Sequence, residues 1–247
     1  MKCDLCPRKC LVDRKKGEKG ICGQTENLKV ARAALHFWEE PCISGDAGSG
    51  AVFFSGCPLH CVFCQNENIA NGTVGKEISL ERLVDIFLEL QEKRANNINL
   101  VTPGHFVPQI VKALDQARKE GLTLPVVYNT SSYETVDTIK MLEGYVDIYL
   151  PDFKYMSPVL SKKYSHAPDY AEVAKAAIAE MVRQTGKAVF VNGDEDNLIL
   201  SGTIVRHLTL PGCMADSMQI LKYLHDTYGD MIYISIMNQY TPVFEQK

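Results

Sequence analysis

The 247-residue sequence has one tryptophan, Trp38, and no apolar run of membrane-spanning length. A transmembrane helix needs about 20 consecutive apolar residues, so no membrane partner is expected. A strong charge excess is missing too: 26 Lys and Arg stand against 30 Asp and Glu, a formal net charge of −4. A nucleic-acid binder would carry a basic face, so no nucleic-acid partner is expected. The opening MKCDLCPRKC is charged and cysteine-rich, without the apolar stretch of a secretory signal. A disulfide framework is absent as well, since nine cysteines is an odd number and most sit at metal-ligand spacings. These absences predict a protein of the reducing cytoplasm.

What is present is enough apolar sequence for one large core, 46% of residues. From Ala51 onward strand-like and helix-like segments alternate. Strands are predicted at 51–56, 97–102, 124–130, 146–153, 203–210 and 231–238. Helices are predicted at 79–95, 107–120, 134–143, 169–185 and 217–228. Ser79 is the expected N-cap of the first helix, and Leu83, Ile86, Phe87 and Leu90 repeat at helical spacing. Ser132 is the expected cap of the third helix. Residues 187–202 read as a local hairpin or one strand with an excursion. Residues 28–38 read as a strand and turn in which His36 and Trp38 pack. EEPCISGDAGSG reads as a linker carrying an incidental Cys42. The expected division is a Cys-rich arm, 1–45, and an α/β domain, 46–247. Repeated strand–helix units imply parallel strands with right-handed crossovers. Six units fall short of a closed eight-unit barrel, and periodicity alone leaves a doubly wound sheet open. Either architecture places chemistry at the C-terminal strand ends.

The first such end carries Cys57, Cys61 and Cys64 in the pattern C-x3-C-x2-C, directly after the apolar run Ala51–Phe54. Three thiolates on one loop can hold three corners of a four-iron cluster, leaving one iron open to a ligand. Buried structural cysteines would not need this spacing, and zinc favours four ligands in paired knuckles. A second set, Cys3, Cys6, Cys10 and Cys22, follows C-x2-C-x3-C-x11-C in a polar segment with little core of its own. It suits Zn²⁺ or a second iron–sulfur cluster, and a metal would supply folding energy there.

GCPLHCVFCQN, with Phe63 in the aromatic slot, resembles the signature of radical S-adenosylmethionine (SAM) enzymes, most closely the pyruvate formate-lyase activating enzyme-like group. CDLCPRKC resembles the opening of the same group. The resemblance implies a partial (β/α)6 barrel and a [4Fe-4S] cluster that reductively cleaves SAM to a hydrogen-abstracting radical. It also implies a flavodoxin or ferredoxin as reductant. By the same resemblance the SAM contacts fall at the strand ends: Thr102 and Gly104, Asn129 and Ser131, Asp152 and Lys154, and Arg206, beside Phe63. The group's glutamate after the second strand and its histidine near the last strand are not in this sequence.

The implied activity is conversion of a partner protein's glycine to a glycyl radical. Hydrogen abstraction from a small molecule or another protein side chain is the alternative enzyme reading. An iron–sulfur electron carrier without SAM chemistry is the alternative of another class, and a carrier would not need the α/β core after Cys64. The chain ends at Lys247, about seven residues after the last strand end, so a docking protein is expected to act as lid.

Overall fold

A computed structural model describes residues 2–194 and 197–242; the segment 243–247, where the chain-end expectation falls, lies outside them. In chain order the elements are β1 (Lys29–His36), α1 (Pro41–Ser44), β2 (Ser49–Phe54), α2 (Glu67–Ala70), β3 (Lys76–Glu77), α3 (Leu80–Glu92) and β4 (Ile98–Val101). Then follow α4 (Val107–Lys119), β5 (Val126–Thr130), α5 (Val136–Lys140), β6 (Ile148–Pro151), α6 (Pro158–Ser165) and α7 (Tyr170–Thr185). The last are β7 (Val189–Phe190), β8 (Ile199–Leu208), α8 (Met214–Tyr228) and β9 (Tyr233–Met237).

Strands β2, β4, β5, β6, β8 and β9 run parallel in that order, each paired with the next. This is the expected α/β architecture, a partial barrel of six parallel strands. β1 adds antiparallel to β2, with Ala34 opposite Ala51, so the N-terminal segment shares the sheet. β1 and β9 flank an open side.

Strand alternation sorts residues between an inner and an outer face. The register puts Phe53, Val101, Asn129, Leu150 and Arg206 on the inner face. The inner side is apolar near the strand starts, where Ile43, Val127, Ile148 and Ile204 pack together, and becomes polar toward the strand ends. Outer-face residues such as Leu100 and Tyr128 join Leu83, Phe87, Ile110 and Leu114 of α3 and α4 in the largest core cluster. A second cluster, with Tyr155, Tyr170 and Ile220, lies under the cysteine loop and takes in Cys57, Cys61 and Phe63.

Several local expectations meet a different outcome. Ser79 does cap α3, accepting from the Arg82 amide at 3.1 Å, an arrangement worth about 1 kcal/mol. Ser132 does not cap α5. Thr135 takes that place by accepting from the Thr138 amide, and Ser132 Oγ donates to the Asp152 carbonyl at 2.7 Å. α6 was not foreseen, although Ser157 caps it and Pro158 occupies its first turn. β7 pairs antiparallel with β8, as the hairpin reading expects, and β8 runs on unbroken to Leu208. Arg206 therefore lies near the end of a ten-residue strand. The expected linker holds α1 and the start of β2. Trp38 does not pack; it is 89% exposed.

Candidate functional site at the strand ends

The cysteine loop leaves β2 through Ser55 and Gly56. Gly56 has φ 93°, and a Cβ there would collide with the Cys22 carbonyl oxygen, so only glycine fits the loop against the arm. The loop roofs a cavity of about 730 Å³ at the C-terminal strand ends, a common size for a small-molecule site. Cys57, Cys61 and Cys64 line it together with Phe63. The barrel contributes Thr102, Asn129, Ser131, Asp152, Lys154 and Arg206. Gly104 stands apart: a Cβ there would meet the Glu134 carboxylate. The cavity continues to Arg32 and His36 on β1 and to Ser235 and Met237 on β9, and so reaches the open side of the barrel.

Burial pushes the Cys57 thiol up to about 12, and the Cys61 thiolate adds to the shift. Cys64 is raised by burial as well, while Lys154 pulls it down. Thiols crowded and desolvated in this way ionise when a cationic group takes the thiolates as ligands. Ser165 Oγ donates to Cys61 Sγ at 2.9 Å, the kind of sulfur hydrogen bond that tunes cluster potentials. Among the described residues no three thiol, imidazole or carboxylate groups converge on one metal-ion position. Three thiols on one short loop are the donor set of a cluster bound at three corners, whereas a structural zinc takes four ligands. Phe63 meets the rings of Tyr155, Tyr164 and Tyr240 edge-on at 6.3–6.4 Å, giving the loop an aromatic wall.

Below the sulfurs lies a buried charge network. Lys154 Nζ pairs with Asp152 Oδ2 at 2.6 Å. Asp152 Oδ1 accepts from Arg206 Nε at 2.9 Å, Arg206 Nη1 donates to Glu39 Oε1 at 2.7 Å, and Nη2 donates to Asn129 Oδ1 at 2.8 Å. Glu39 Oε2 also accepts from Asn129 and Asn99. Burial opposes the charged form of each partner, but Arg206 and Lys154 outweigh it and hold Asp152 below its ordinary pKa. Asp152 and Glu39 likewise hold Arg206 high, and Asp152, with the neighbouring Cys61, holds Lys154 high. The shifts favour the ionised forms of Asp152, Lys154 and Arg206.

Two strand ends on this cavity carry left-handed backbone at non-glycine residues, Thr102 (φ 54°) and Ser132 (φ 62°). Such positions are held by surrounding structure and cluster at functional sites. Thr102 is β-branched, which makes its conformation the more strained of the two; its amide donates to the Asn129 carbonyl at 2.9 Å.

Glu39 and Glu134 escaped the sequence reading, and the place of His105 was left open by it. Glu39 comes from the supposed linker, and the acid pair Glu39–Glu40 ahead of Pro41 gives no periodic signal. His105, which the sequence leaves open between a solvent-facing helix start and a site residue, is buried; its Nε2 bonds the Ser55 carbonyl at 2.7 Å, and burial pulls its pKa down to about 3. Glu134 is buried beside Tyr128 and Thr130, with Oε2 unpartnered, and burial pushes it up to about 7. His207 is in the core, bonded to the Phe153 carbonyl and Ser217.

A family model for the radical SAM superfamily matches residues 51–197, more than half of the chain. The uncharacterized protein MJ0674 of Methanocaldococcus jannaschii is 26% identical over 254 residues, covering 99% of this chain and 68% of its own length. The solved structure of methylornithine synthase (PylB) matches 77% of the chain with a TM-score of 0.51 and 15% identity. HydG, a maturase of the [FeFe]-hydrogenase, matches 74% with a TM-score of 0.50 and 14% identity. The chain spans 54% and 41% of those two structures, and the likeness is one of fold. A radical SAM domain works with a [4Fe-4S] cluster and SAM, the groups that the thiol loop and the polar cavity beneath it suit. No helix among the described residues is long and apolar enough to cross a membrane. The match over β2 to β7, together with a cysteine loop at the end of the first parallel strand, makes this chain a member of the radical SAM superfamily.

Proposed function

We propose that Cys57, Cys61 and Cys64 hold the SAM-reactive [4Fe-4S] cluster and that the protein abstracts hydrogen from a glycine in a loop of a partner protein. The observation that carries this reading is the single cavity that joins the three sulfurs to the open side between β1 and β9. When bound, the cluster and SAM supply an electron and a 5′-deoxyadenosyl radical; the protein supplies position and shielding. Asp152 offers carboxylate oxygens to ribose hydroxyls, and Lys154 offers an ammonium to a carboxylate. Arg206 is held by three partners and orients Asp152 and Asn129 below them. Phe63 and the tyrosines around it exclude water from the roof. At the open side Trp38 and Ile236 stay exposed, 89% and 57%, an apolar rim that a docked protein would cover.

The four arm thiols are read as a second metal site. A flavodoxin or ferredoxin as donor and the reducing cytoplasm as setting complete the proposal. The test is anaerobic reconstitution, reduction, and addition of SAM with each glycyl-radical protein of the same source. A glycyl doublet in electron paramagnetic resonance supports the activase reading. SAM cleavage stimulated only by a small metabolite, with no doublet, replaces it with a small-molecule substrate. No 5′-deoxyadenosine under any condition removes the SAM chemistry and leaves an electron carrier.

A further inference from the structure

We infer that Arg32 on β1 anchors a carboxylate of the substrate at the open side of the barrel, with Phe53 as the apolar surface for the stem that carries it. The inference rests on the reading that hydrogen is taken from a substrate entering between β1 and β9, and it names the group by which that substrate is held.

The first ground is how β1 brings Arg32 to the cavity. Val30 pairs with Phe54 and Arg32 with Phe53, so β1 uses two residues where β2 uses one. This is a β-bulge, in which the extra residue goes unpaired and the strand bends. Side chains two apart on an unbroken strand share a face. Here they part: Val30 packs into the outer core cluster, whereas Arg32 takes the side of its partner Phe53 and lines the cavity. Bulges recur next to active sites, where they re-aim a side chain. Beyond the bulge the alternation is regular, and His36, opposite Ser49, is again on the inner side.

The second ground is that Arg32 is a cation without an anion. Among the described residues its guanidinium has no hydrogen-bond or ion-pair partner. Lys154 and Arg206, the other basic side chains on the cavity, are both engaged, Lys154 by Asp152 and Arg206 by Asp152 and Glu39. Glu40 also lines the cavity, but it lies past the opposite end of β1, and its charge is felt by Arg206 and Cys42. A guanidinium is a planar fork of donors that meets a carboxylate through two parallel hydrogen bonds.

The third ground is the place of Arg32. Its partner Phe53 lies four residues before Cys57, at the strand end that carries the cysteine loop. Strands β2, β4 and β5 separate β1 from β6, so a carboxylate on Arg32 is a different group from one that Lys154 would meet. Phe53 is half-buried, and the His36 ring meets it edge-on at 6.4 Å. Arg32 itself is exposed. An accessible cation beside an aromatic surface suits a carboxylate on a short aliphatic stem. A Glu or Asp side chain near the target glycine supplies one, and so does a free aliphatic acid.

The test is calorimetric titration of the full chain, reconstituted anaerobically with SAM present. The probes are Ac-Gly-Glu-NH2, its neutral analogue Ac-Gly-Gln-NH2, and butyrate. The Glu peptide is expected to bind at least about tenfold more tightly than the Gln peptide, the scale of one charge-assisted contact. Arg32→Gln should abolish that preference with iron content and melting temperature retained, and Arg32→Lys, a point charge without the fork, should keep part of it. Butyrate binding as tightly as the Glu peptide assigns the site to a free acid; a peptide about tenfold tighter assigns it to a protein side chain. Equal binding of the Glu and Gln peptides by wild type overturns the inference whatever the variants do. So does a preference that survives in Arg32→Gln, or the absence of saturable heat with any carboxylate up to about 10 mM. In the glycyl-radical assay Arg32→Gln should raise KM at least about tenfold more than it lowers kcat. A Glu preference lost with Arg32, but no glycyl doublet in any partner, keeps the anion site and removes the activase reading. A doublet formed equally well by Arg32→Gln keeps the activase reading and removes the anion site.

Discussion

The two cysteine sets sit against each other but are made in different ways. Cys57, Cys61 and Cys64 ride on the end of a parallel strand, above a cavity whose floor comes from four other strands. Their surroundings follow from strand alternation and would exist whatever the loop carried. Cys3, Cys6, Cys10 and Cys22 have no such platform. Arg8, Arg14 and His60 tie their segment to the barrel through backbone carbonyls: Arg14 donates to Thr25 and His105, Arg8 to Pro58, Ser165 and His166. Thr138 likewise donates to the Leu5 carbonyl. A site on a scaffold can lose a ligand and keep its shape. A site that is its own scaffold depends on its ligands for order.

Four substitutions probe this contrast. Cys61→Ala, on the scaffolded side, is expected to reduce 5′-deoxyadenosine formation by about 10³-fold or more, roughly 4 kcal/mol of barrier, with the melting temperature nearly unchanged. Activity near wild type would show that the loop is not the reactive site. Glu39→Gln asks whether the scaffold depends on chain outside the barrel. It leaves Arg206 with Asp152 as its one anion, and a loss of about 2–3 kcal/mol in urea unfolding is expected. Iron loading of the triple-cysteine loop should persist; if iron is lost while stability holds, the network serves the metal and not the barrel.

Glu134 lies between the two sets, touching Thr130 on the cavity and acting on Cys6. Its pKa is raised from 4.5 to about 7 by burial, so folding favours the protonated acid. Its stabilising contribution is full below 4.5 and is lost as pH rises through about 7, at most about 3 kcal/mol. Glu134→Gln should flatten the fall in unfolding free energy between pH 5 and pH 8. Parallel curves for the two proteins would show that Glu134 is ionised throughout. The smallest effect is expected from Arg8→Ala, which removes the carbonyl bonds and the packing over the Tyr133 ring at 5.1 Å. A loss of about 1–2 kcal/mol, or roughly 2–8 °C in melting temperature, should appear in metal-free protein and shrink when the proposed arm site is loaded. Equal losses in both states would mean that the metal adds nothing to the arm's attachment.

The scaffold was largely readable from the sequence because its signals are periodic. Apolar runs such as INLV and IYLP, spaced by amphipathic helices, mark parallel strands buried on both faces. The cysteine spacing marked the loop, and the strand-end rule led to Asp152, Lys154, Asn129 and Arg206, which do meet in one cavity. Glu39 was hidden because its partners lie 60 to 167 positions away, and nothing local separates it from a solvated acid. Burial of His105 was hidden for the same reason: Arg14, 91 residues earlier, covers it by bonding its carbonyl. Trp38 misled because large aromatics usually pack, and here a turn leading off β1 holds the ring outward.

That turn has an experimental consequence. Trp38 is the sole tryptophan, and it borders the cavity. The intrinsic indole emission of the whole molecule thus arises at one place, the rim of the cavity's opening. Its wavelength and its quenching by small solutes become a direct optical gauge of whether that doorway is wet or covered, without a label and without disturbing either set of thiols.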